Sequence, residues 1–464
     1  MTTPKTPPLI EARSIEFIPE NERHGNPFSQ FTLWLGANLQ ITAIVTGALA
    51  VVFGGDAFWS IIGLMLGQLM GGAIMALHAM QGPKLGLPQM ISSRAQFGVL
   101  GASIPTVLVC ILFIGFNTIG IILAGQAISQ LTHVSSATGI STFAVIIIIS
   151  AMIGYRFIHR LGHISTVIGI IAFAYLFIRL MTINDISLIL ESRHFSWGQF
   201  LFSVSLSASW QIAYSPYASD YSRYLPSKTS SSKIFFSAWI GTVVGSQIAM
   251  TLGVFAAILA GDKFAGNEVG YIVSLGANGI MASFLYFSIA FGKVTISTLN
   301  AYGSLMCLNT IISGFKGNIS QRKYQRLVII VFIVGVSTCL AFLAKNDFLH
   351  TFSAFLLFLL TFFTPWAAIN ITSFYFISKG KYDRVALMDP NRCYGRWNLF
   401  GISIYFIGVL AQIPFISTTL YTGPIYNWLG TDISWVVGLI VTATLYYIFV
   451  KQKANVLHTF ENSQ

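Results

Sequence analysis

About twelve apolar runs, each near the length that crosses a bilayer, follow one another between residues 28 and 450. A membrane-spanning helix needs about 20 mostly apolar residues. The runs lie near 28–53, 57–80, 100–126, 140–155, 162–182, 199–215, 234–260, 280–312, 327–344, 349–378, 398–417 and 433–450. Hydrocarbon offers the backbone no water, so segments of this length must be helices. The expected fold is all-α: a polytopic membrane protein with about 12 transmembrane helices. Only 9% of the 464 residues are charged, against about 25% in a soluble domain. That excludes an ordinary soluble enzyme, a nucleic-acid binder and a disordered chain.

Residues 1–27 form a polar tail without an apolar signal core or a small-residue cleavage site, and 451–464 form a second tail. The net charge is +11, and its distribution sets the orientation. With the amino terminus inside, cytoplasmic segments hold Lys84, Arg94, Arg223, Lys228, Lys233, Lys316, Arg322, Arg326, Lys379, Arg384, Arg392 and Arg396, with others in both tails. The opposite side holds only Arg179, Arg193, Lys263 and Lys345, and Lys293 alone falls within a span. Positive residues are retained inside, so both termini are expected to be cytoplasmic, in a cell (inner or plasma) membrane. Cys110, Cys307, Cys339 and Cys393 show no paired spacing, so neither a disulfide nor a metal site is expected.

Two runs are interrupted at mid-depth. The first carries Gly36-Ala37-Asn38, and the sixth ends at Ser215-Pro216. Proline removes a donor and frees a carbonyl one turn earlier. Freed backbone inside a membrane must line a cavity or bury against protein. Breaks five spans apart predict an inverted-repeat transporter with its site between them.

The eighth run is polar on two sides. Lys293, Ser297, Asn300 and Ser304 share one helical stripe, with Thr295, Thr298 and Tyr302 on the far side. Such a helix belongs inside a bundle, against water or a ligand. A central charge costs at least about 2.5–3.5 kcal/mol on insertion scales, so Lys293 marks a functional position, whereas a single hydroxyl is accounted for by helix–helix hydrogen bonding. Phe113, Phe116, Asn117 and Gly120 share a face of the third run, and Trp210, Tyr214 and Tyr217 one of the sixth. Two aromatic faces with a nearby amide suit a flat, polar, uncharged heterocycle. Gln40, just past the first break, is a second such amide. The aspartates Asp56, Asp185, Asp262, Asp347 and Asp432 all flank spans, so no carboxylate relay is expected within them. No metalloprotease, phosphate-loop, nucleophile-elbow or dinucleotide motif is present. The chain is therefore not expected to be an enzyme.

Several short motifs carry a resemblance. They are Glu22-Arg23-His24-Gly25-Asn26, the stretch Trp34 to Gln40, Gly86-Leu87-Pro88-Gln89-Met90 with Ser93-Arg94 and Phe97-Gly98, Ser215 to Tyr221, Pro365-Trp366, and Gly395-Arg396-Trp397-Asn398. Together they resemble the nucleobase–cation symporter family in its purine–cytosine permease branch. The resemblance implies a five-plus-five inverted repeat (LeuT-type) with two extra C-terminal helices. Its repeats would cover 28–182 and 199–378, with the extra helices in 398–450. It implies a symporter working by alternating access, with a sodium ion or proton as coupling ion and no other cofactor. The substrate set then lands on Gln40, Phe116, Asn117, Tyr214, Ser297 and Asn300. The coupling set lands on Gly36, Leu39, Lys293, Thr295 and Thr298. Phe116 replaces a larger indole, Gly120 replaces an amide, and Lys293 places a cation beside the ion site.

The function expected is import of a small nitrogen heterocycle such as a nucleobase (cytosine or a purine) or a related compound. The partners expected are that substrate and the lipid bilayer, with no nucleic acid. An amino-acid, amine or vitamin carrier of the same fold is the alternative, followed by a membrane receptor or sensor. A sodium ion and an ammonium 4 Å apart would repel by about 4 kcal/mol at an effective dielectric of 20. Lys293 therefore favours proton coupling, or uniport, over sodium.

Overall fold

The computed structural model describes residues 15–153, 155–191, 193–317, 323–418 and 421–461. Lys5, Arg13 and Arg322 lie outside the described residues. The helices are α1a (Phe28–Asn38) and α1b (Ile41–Val52), α2 (Ala57–Ala79), α3 (Ser103–Thr132), α4 (Ser136–Ile153) and α5 (Tyr155–Ile183). Then come α6a (Trp197–Ile212) and α6b (Ser215–Ser222), α7 (Ser231–Ala260), α8 (Gly279–Lys316), α9 (Lys323–Ala344), α10 (Phe348–Ile371), α11 (Leu399–Leu410) and α12 (Ser434–Glu461). Among the described residues there is no sheet; one isolated bridge joins Ser417 and Thr422. The helices α2, α3, α7 and α8 are each long and apolar enough to cross a membrane. The apolar stretch Tyr324–Ile377 has 54 residues, too many for one crossing of about 30 Å. The polar 3-10 segment Lys345–Asp347 divides it into α9 and α10.

The packing repeats itself. The helix α1 lies on α7, and α6 lies on α2; α3 lies on α9, and α8 lies on α4; α5 meets α8, and α10 meets α3. Exchanging each of the first five helices with the one five later turns each contact into its partner. Five crossings are an odd number, so the second set starts from the opposite face and is inverted. The two long axes α3 and α8 pack against each other along their length. Glycines let the helices of this scheme approach closely. A Cβ on Gly67 of α2 would collide with the Val204 carbonyl of α6a, and one on Gly253 of α7 with the Ile44 carbonyl of α1b. Small residues allow this backbone approach in a membrane.

A buried polar chain ties α1, α2, α6 and α7 into one body. Trp210 Nε1 donates to Asn38 Oδ1 (2.7 Å), and Asn38 Nδ2 donates to Thr242 Oγ1 (3.0 Å). Thr242 donates to Gln211 Oε1 (2.6 Å), Gln211 Nε2 to Ser246 Oγ (2.7 Å), and Ser246 to Gln68. Gln68 Nε2 finally donates to Gln247 Oε1 (3.0 Å). Asn38, Gln68, Gln211, Thr242 and Ser246 are fully buried.

Most motifs that carried the resemblance meet the segment 81–98 at one end of the bundle. Arg23 donates to the Ile18 and Pro83 carbonyls and, with Phe17, fills the space a side chain would need at Gly86, whose φ of +66° is left-handed. Asp220 accepts from the Gln89 N–H at 2.7 Å, and Trp366 Nε1 donates to Ser93 Oγ at 3.1 Å. Asn398 Nδ2 donates to the Gln96 carbonyl at 2.8 Å. Residues 15–26 of the expected free tail are thus docked in part: Ile15 and Ile18 are buried, and the His24 N–H donates to the Tyr224 carbonyl.

Asn38→Ala strands the Trp210 N–H and one Thr242 contact in a dry interface. The expected cost is about 1–3 kcal/mol of stability, read as a lower melting temperature of the purified protein. An unchanged melting temperature would show that this chain does not hold the four helices together.

The helix breaks and the site between them

The first break falls at Leu39–Gln40, where α1a and α1b meet at 61°, rather than at the expected Gly36-Ala37-Asn38. The helix continues through these residues because the Leu39 N–H still donates to the Leu35 carbonyl. The polarity of Asn38 serves the contact with α6 and α7 instead. Gln40 is extended (φ −147°, ψ 158°), and it meets the loose ends of both half-helices. Its Nε2 donates to the Ala37 carbonyl at 2.7 Å, and its N–H donates to the Asn38 carbonyl at 2.9 Å. The last carbonyls of a helix lack intrahelical donors; here one residue supplies two.

The second break falls at Ala213–Tyr214, and Pro216 sits in the first turn of α6b. Proline is tolerated there because those N–H groups have no intrahelical acceptor. The Gln40 amide faces the Tyr214 hydroxyl, so the two breaks lie side by side. Tyr214 meets Trp34 and Trp210 edge-to-face, with centroids 5.2 and 5.9 Å away.

From α8, Lys293 Nζ donates to Gln40 Oε1 at 2.9 Å and to Thr42 Oγ1 in the first turn of α1b. Lys293 is 4% exposed. One turn on, Ser297 is fully buried and its hydroxyl has no partner. Asn300 follows, half-buried, and among the described residues its side-chain amide makes no hydrogen bond. Opposite them, Gly120 of α3 is so close that a Cβ would lie 2.7 Å from Ser297 Oγ and 3.9 Å from Lys293 Cδ. Phe116, one turn earlier, meets Trp210 and Phe355 edge-to-face at 5.6 and 5.5 Å.

The structure therefore brings Gln40, Tyr214, Lys293 and Ser297 to one junction, with Phe116 on the aromatic wall beside it. Other expected residues lie elsewhere. Asn117 is turned to α9, where its Nδ2 donates to Ser337 Oγ at 3.3 Å. Thr298 donates to the Val294 carbonyl of its own helix at 2.7 Å. Thr295 faces α5, with its hydroxyl 3.4 Å from that of Ser165. Gly36 lies in the last turn of α1a, and Leu39 lies at the break itself.

Comparison with known proteins now bears on this arrangement. The sequence profile of the family described as "Permease for cytosine/purines, uracil, thiamine, allantoin" matches residues 17–438. The chain belongs to this family. It is 36% identical over 450 residues to YxlA of Bacillus subtilis (strain 168), a protein named for purine-cytosine permease activity, with 96% of each chain covered. It is 25% identical to the purine-cytosine permease fcyB of Emericella nidulans, over 94% of this chain and 87% of that one. In fold it is similar to the inward-facing conformation of Mhp1, with a TM-score of 0.76 at 17% identity over 96% of this chain and 94% of that one. It is also similar to the closed conformation of Mhp1, a nucleobase-cation-symport-1 family transporter with bromovinylhydantoin bound. That TM-score is 0.71 at 17% identity, over 97% and 96% of the two chains. The inverted five-plus-five fold expected from the sequence is thus present. The permease is a multi-pass membrane protein and a secondary transporter rather than an enzyme.

Thr42, Trp210 and Phe355 complete the junction and its wall but were absent from the expected site. Trp210 was visible in the aromatic stripe of the sixth run. Thr42 carried a weaker signal, a hydroxyl in the first turn after a break. Phe355 lies in an unbroken apolar run and carried none.

Gly120→Ala drives a methyl group into Ser297 Oγ. Overpacking of this kind costs about 1–3 kcal/mol, so both melting temperature and uptake should fall. Adding Ser297→Ala removes the colliding oxygen and should restore most of the melting temperature. A double variant as impaired as Gly120→Ala alone would place the clash elsewhere.

Proposed function

We propose that this permease imports a small, flat nitrogen heterocycle such as a nucleobase, bound where α1, α3, α6 and α8 meet. The observation that carries this reading is the meeting of both helix breaks at Gln40, with two polar groups of α8, Ser297 and Asn300, lacking side-chain partners on the following turns. Phe116 and Tyr214 supply ring faces, and Asn300 reads the substrate's edge. The activity for which the relatives are named supports a purine or cytosine, and the hydantoin bound by Mhp1 supports a five-membered ring equally well. Asn117 has no direct part in this reading because its amide is engaged with α9. The repeats are assigned to 28–182 and 199–378, with two extra helices in 398–450. Both termini are assigned to the cytoplasmic face of the cell membrane, on the distribution of Lys and Arg.

The panel that tests this is thermal stabilisation by purines, pyrimidines, hydantoins, pyridine vitamins and amino acids. A ligand bound only by the folded state raises its apparent stability. One heterocycle class should stabilise, amino acids should not, and Asn300→Ala should weaken binding by about 1–3 kcal/mol. Stabilisation by amino acids alone, or full affinity in a well-folded Asn300→Ala, would overturn the assignment.

We further propose that Lys293 stands in for a bound sodium ion. Its ammonium bridges α8 and the start of α1b through Thr42 and Gln40. The coupling set proposed from the family pattern is the Gly36 and Leu39 carbonyls with the α8 hydroxyls. Thr295 and Thr298 do not join Lys293 at Gln40, which leaves a sodium ion the backbone carbonyls and a neighbouring ammonium. Two such cations at 4 Å repel by about 4 kcal/mol at an effective dielectric of 20. Coupling therefore passes to a proton. Uptake into proteoliposomes should be indifferent to sodium in the wild type and become stimulated by it in Lys293→Met. Strict sodium dependence that survives unchanged in Lys293→Met would defeat the proposal.

A further inference from the structure

The starts of α1a and α7 frame a groove that the transport reading does not use. Further along, the two helices press backbone to backbone. A Cβ on Gly241 would lie 2.5 Å from the Phe31 carbonyl, and one on Gly245 would lie 2.6 Å from the Leu35 carbonyl. One turn earlier on each helix stand Ser237 and Phe28 instead, and a groove of about 470 Å³ opens. Asn26 and Phe28 line one side of it, and Ser232, Lys233, Phe236 and Ser237 line the other.

One end of this groove is apolar. Phe28 and Phe236 are 63% and 52% exposed. Each is held by a neighbour on its own helix: Phe28 stacks on Phe31 with centroids 5.4 Å apart, and Phe236 lies edge-to-face on Phe235 at 5.3 Å. Ile240 and Val244 follow Phe236 at i+4 and i+8, on the same face of α7, and are also exposed. Val244 is 11 residues beyond Lys233. At 1.5 Å per residue the track is about 16 Å long, about half of a hydrocarbon core of about 30 Å. Its length matches one leaflet.

The other end offers donors. Among the described residues that line the groove, Lys233 carries the only charge, and it forms no ion pair with any described carboxylate. The Ser232 and Ser237 hydroxyls make no hydrogen bond among the described residues. Asn26 Oδ1 accepts the Ser29 N–H at 3.2 Å, which leaves the Asn26 amide N–H groups facing outward without an acceptor. Glu20, in the docked segment before α1a, is engaged by Arg23 at 3.4 Å and by the Ser227 N–H at 2.9 Å. An ammonium, two hydroxyls and an amide thus converge at the head of an apolar track.

We propose that this groove binds an anionic phospholipid. Its phosphate sits among Lys233, Ser232, Ser237 and Asn26, and one acyl chain runs along Phe28, Phe236, Ile240 and Val244. Basic pockets between spans bind anionic headgroups, and apolar contact adds to the electrostatic attraction. A zwitterionic lipid brings an amine as well as a phosphate, and the groove holds no carboxylate to receive it. Charge complementarity therefore selects a headgroup with a net negative charge. In the orientation given above the site faces the cytoplasmic leaflet, although binding itself does not depend on that orientation. Because α1a and α7 belong to the body tied by the buried polar chain, a lipid held across their starts stabilises that body.

Thermal stabilisation of the purified permease in detergent tests this, since a ligand bound only by the folded state raises its apparent stability. The probes are phosphatidylglycerol, phosphatidylcholine with the same acyl chains, and inorganic phosphate. Phosphatidylglycerol should raise the melting temperature at concentrations where the other two do not. Lys233→Gln should weaken its apparent affinity about fivefold, the effect of one basic residue at a membrane surface. Ser232→Trp, which fills the groove and keeps the lysine, should remove the shift. Lys228→Gln, which alters a cation outside the groove, should leave it unchanged. Melting temperatures without lipid show whether each variant is folded. Equal stabilisation by phosphatidylcholine would reduce the groove to ordinary lipid-facing surface, and stabilisation by inorganic phosphate alone would make the ligand a soluble anion. Equal losses in Lys228→Gln and Lys233→Gln would show diffuse attraction without a site. Each of these three results would overturn the proposal.

Discussion

A helix broken inside hydrocarbon must find partners for the backbone groups it frees, and Gln40 is where this permease meets that demand. Its side chain and N–H answer two carbonyls of α1a, its carboxamide oxygen takes the ammonium of Lys293, and its side chain reaches Tyr214 at the other break. The unwound stretch is therefore held by polar contacts from three helices. The same contacts cluster donors and acceptors at the centre of an otherwise apolar bundle, where a polar heterocycle can exchange its hydration for fixed partners. Structural need and binding capacity arise from one arrangement.

Around this junction the helices fall into two kinds of contact. The group α1, α2, α6 and α7 is sewn together by the chain from Trp210 to Gln247, with backbone approaches at Gly67 and Gly253. The pair α3 and α8 packs along its length, with Gly120 set against Ser297. Lys293 is the polar tie from α8 to the first group at this level. Alternating access needs bodies that stay intact and contacts between them that change. A continuous buried network is costly to break, whereas a lysine on a flexible stem can follow a moving partner. In the proposed cycle this asymmetry favours motion at the α1–α8 contact.

The sequence revealed the architecture because its signals are coarse. Run length, charge asymmetry and two breaks five spans apart each report a property of a whole segment. The site was only partly legible, and the reason differs from residue to residue. Asn38 read as a break because amides are rare in spans, yet its partners Thr242 and Trp210 lie on other helices. Asn117 read as a ligand for substrate because it follows Phe116, but one residue turns a helix by about 100°, and that step points it at Ser337 on α9. Lys293 was conspicuous, but nothing local shows that its partners are Gln40 and Thr42. Glu268 lay in a connection, where carboxylates are ordinarily solvated; only its burial against Gln126 of α3 makes it unusual.

The motifs that place the chain in its family have a different task from the residues that would choose a substrate. Arg23 with Gly86, Asp220 with Gln89, Trp366 with Ser93, and Asn398 with Gln96 all act on the backbone or on small polar groups of the segment 81–98. Four distant parts of the chain must agree on the shape of that one segment, so a change in any of them disturbs the others. Phe116, Gly120 and Lys293 sit at the helix breaks, outside this web. The ring face, the ring-edge amide and the coupling cation can each change there without loosening the closed end. It follows that the matching motifs report the fold, and that the three departures fall where the proposed substrate and coupling sites lie, outside that web.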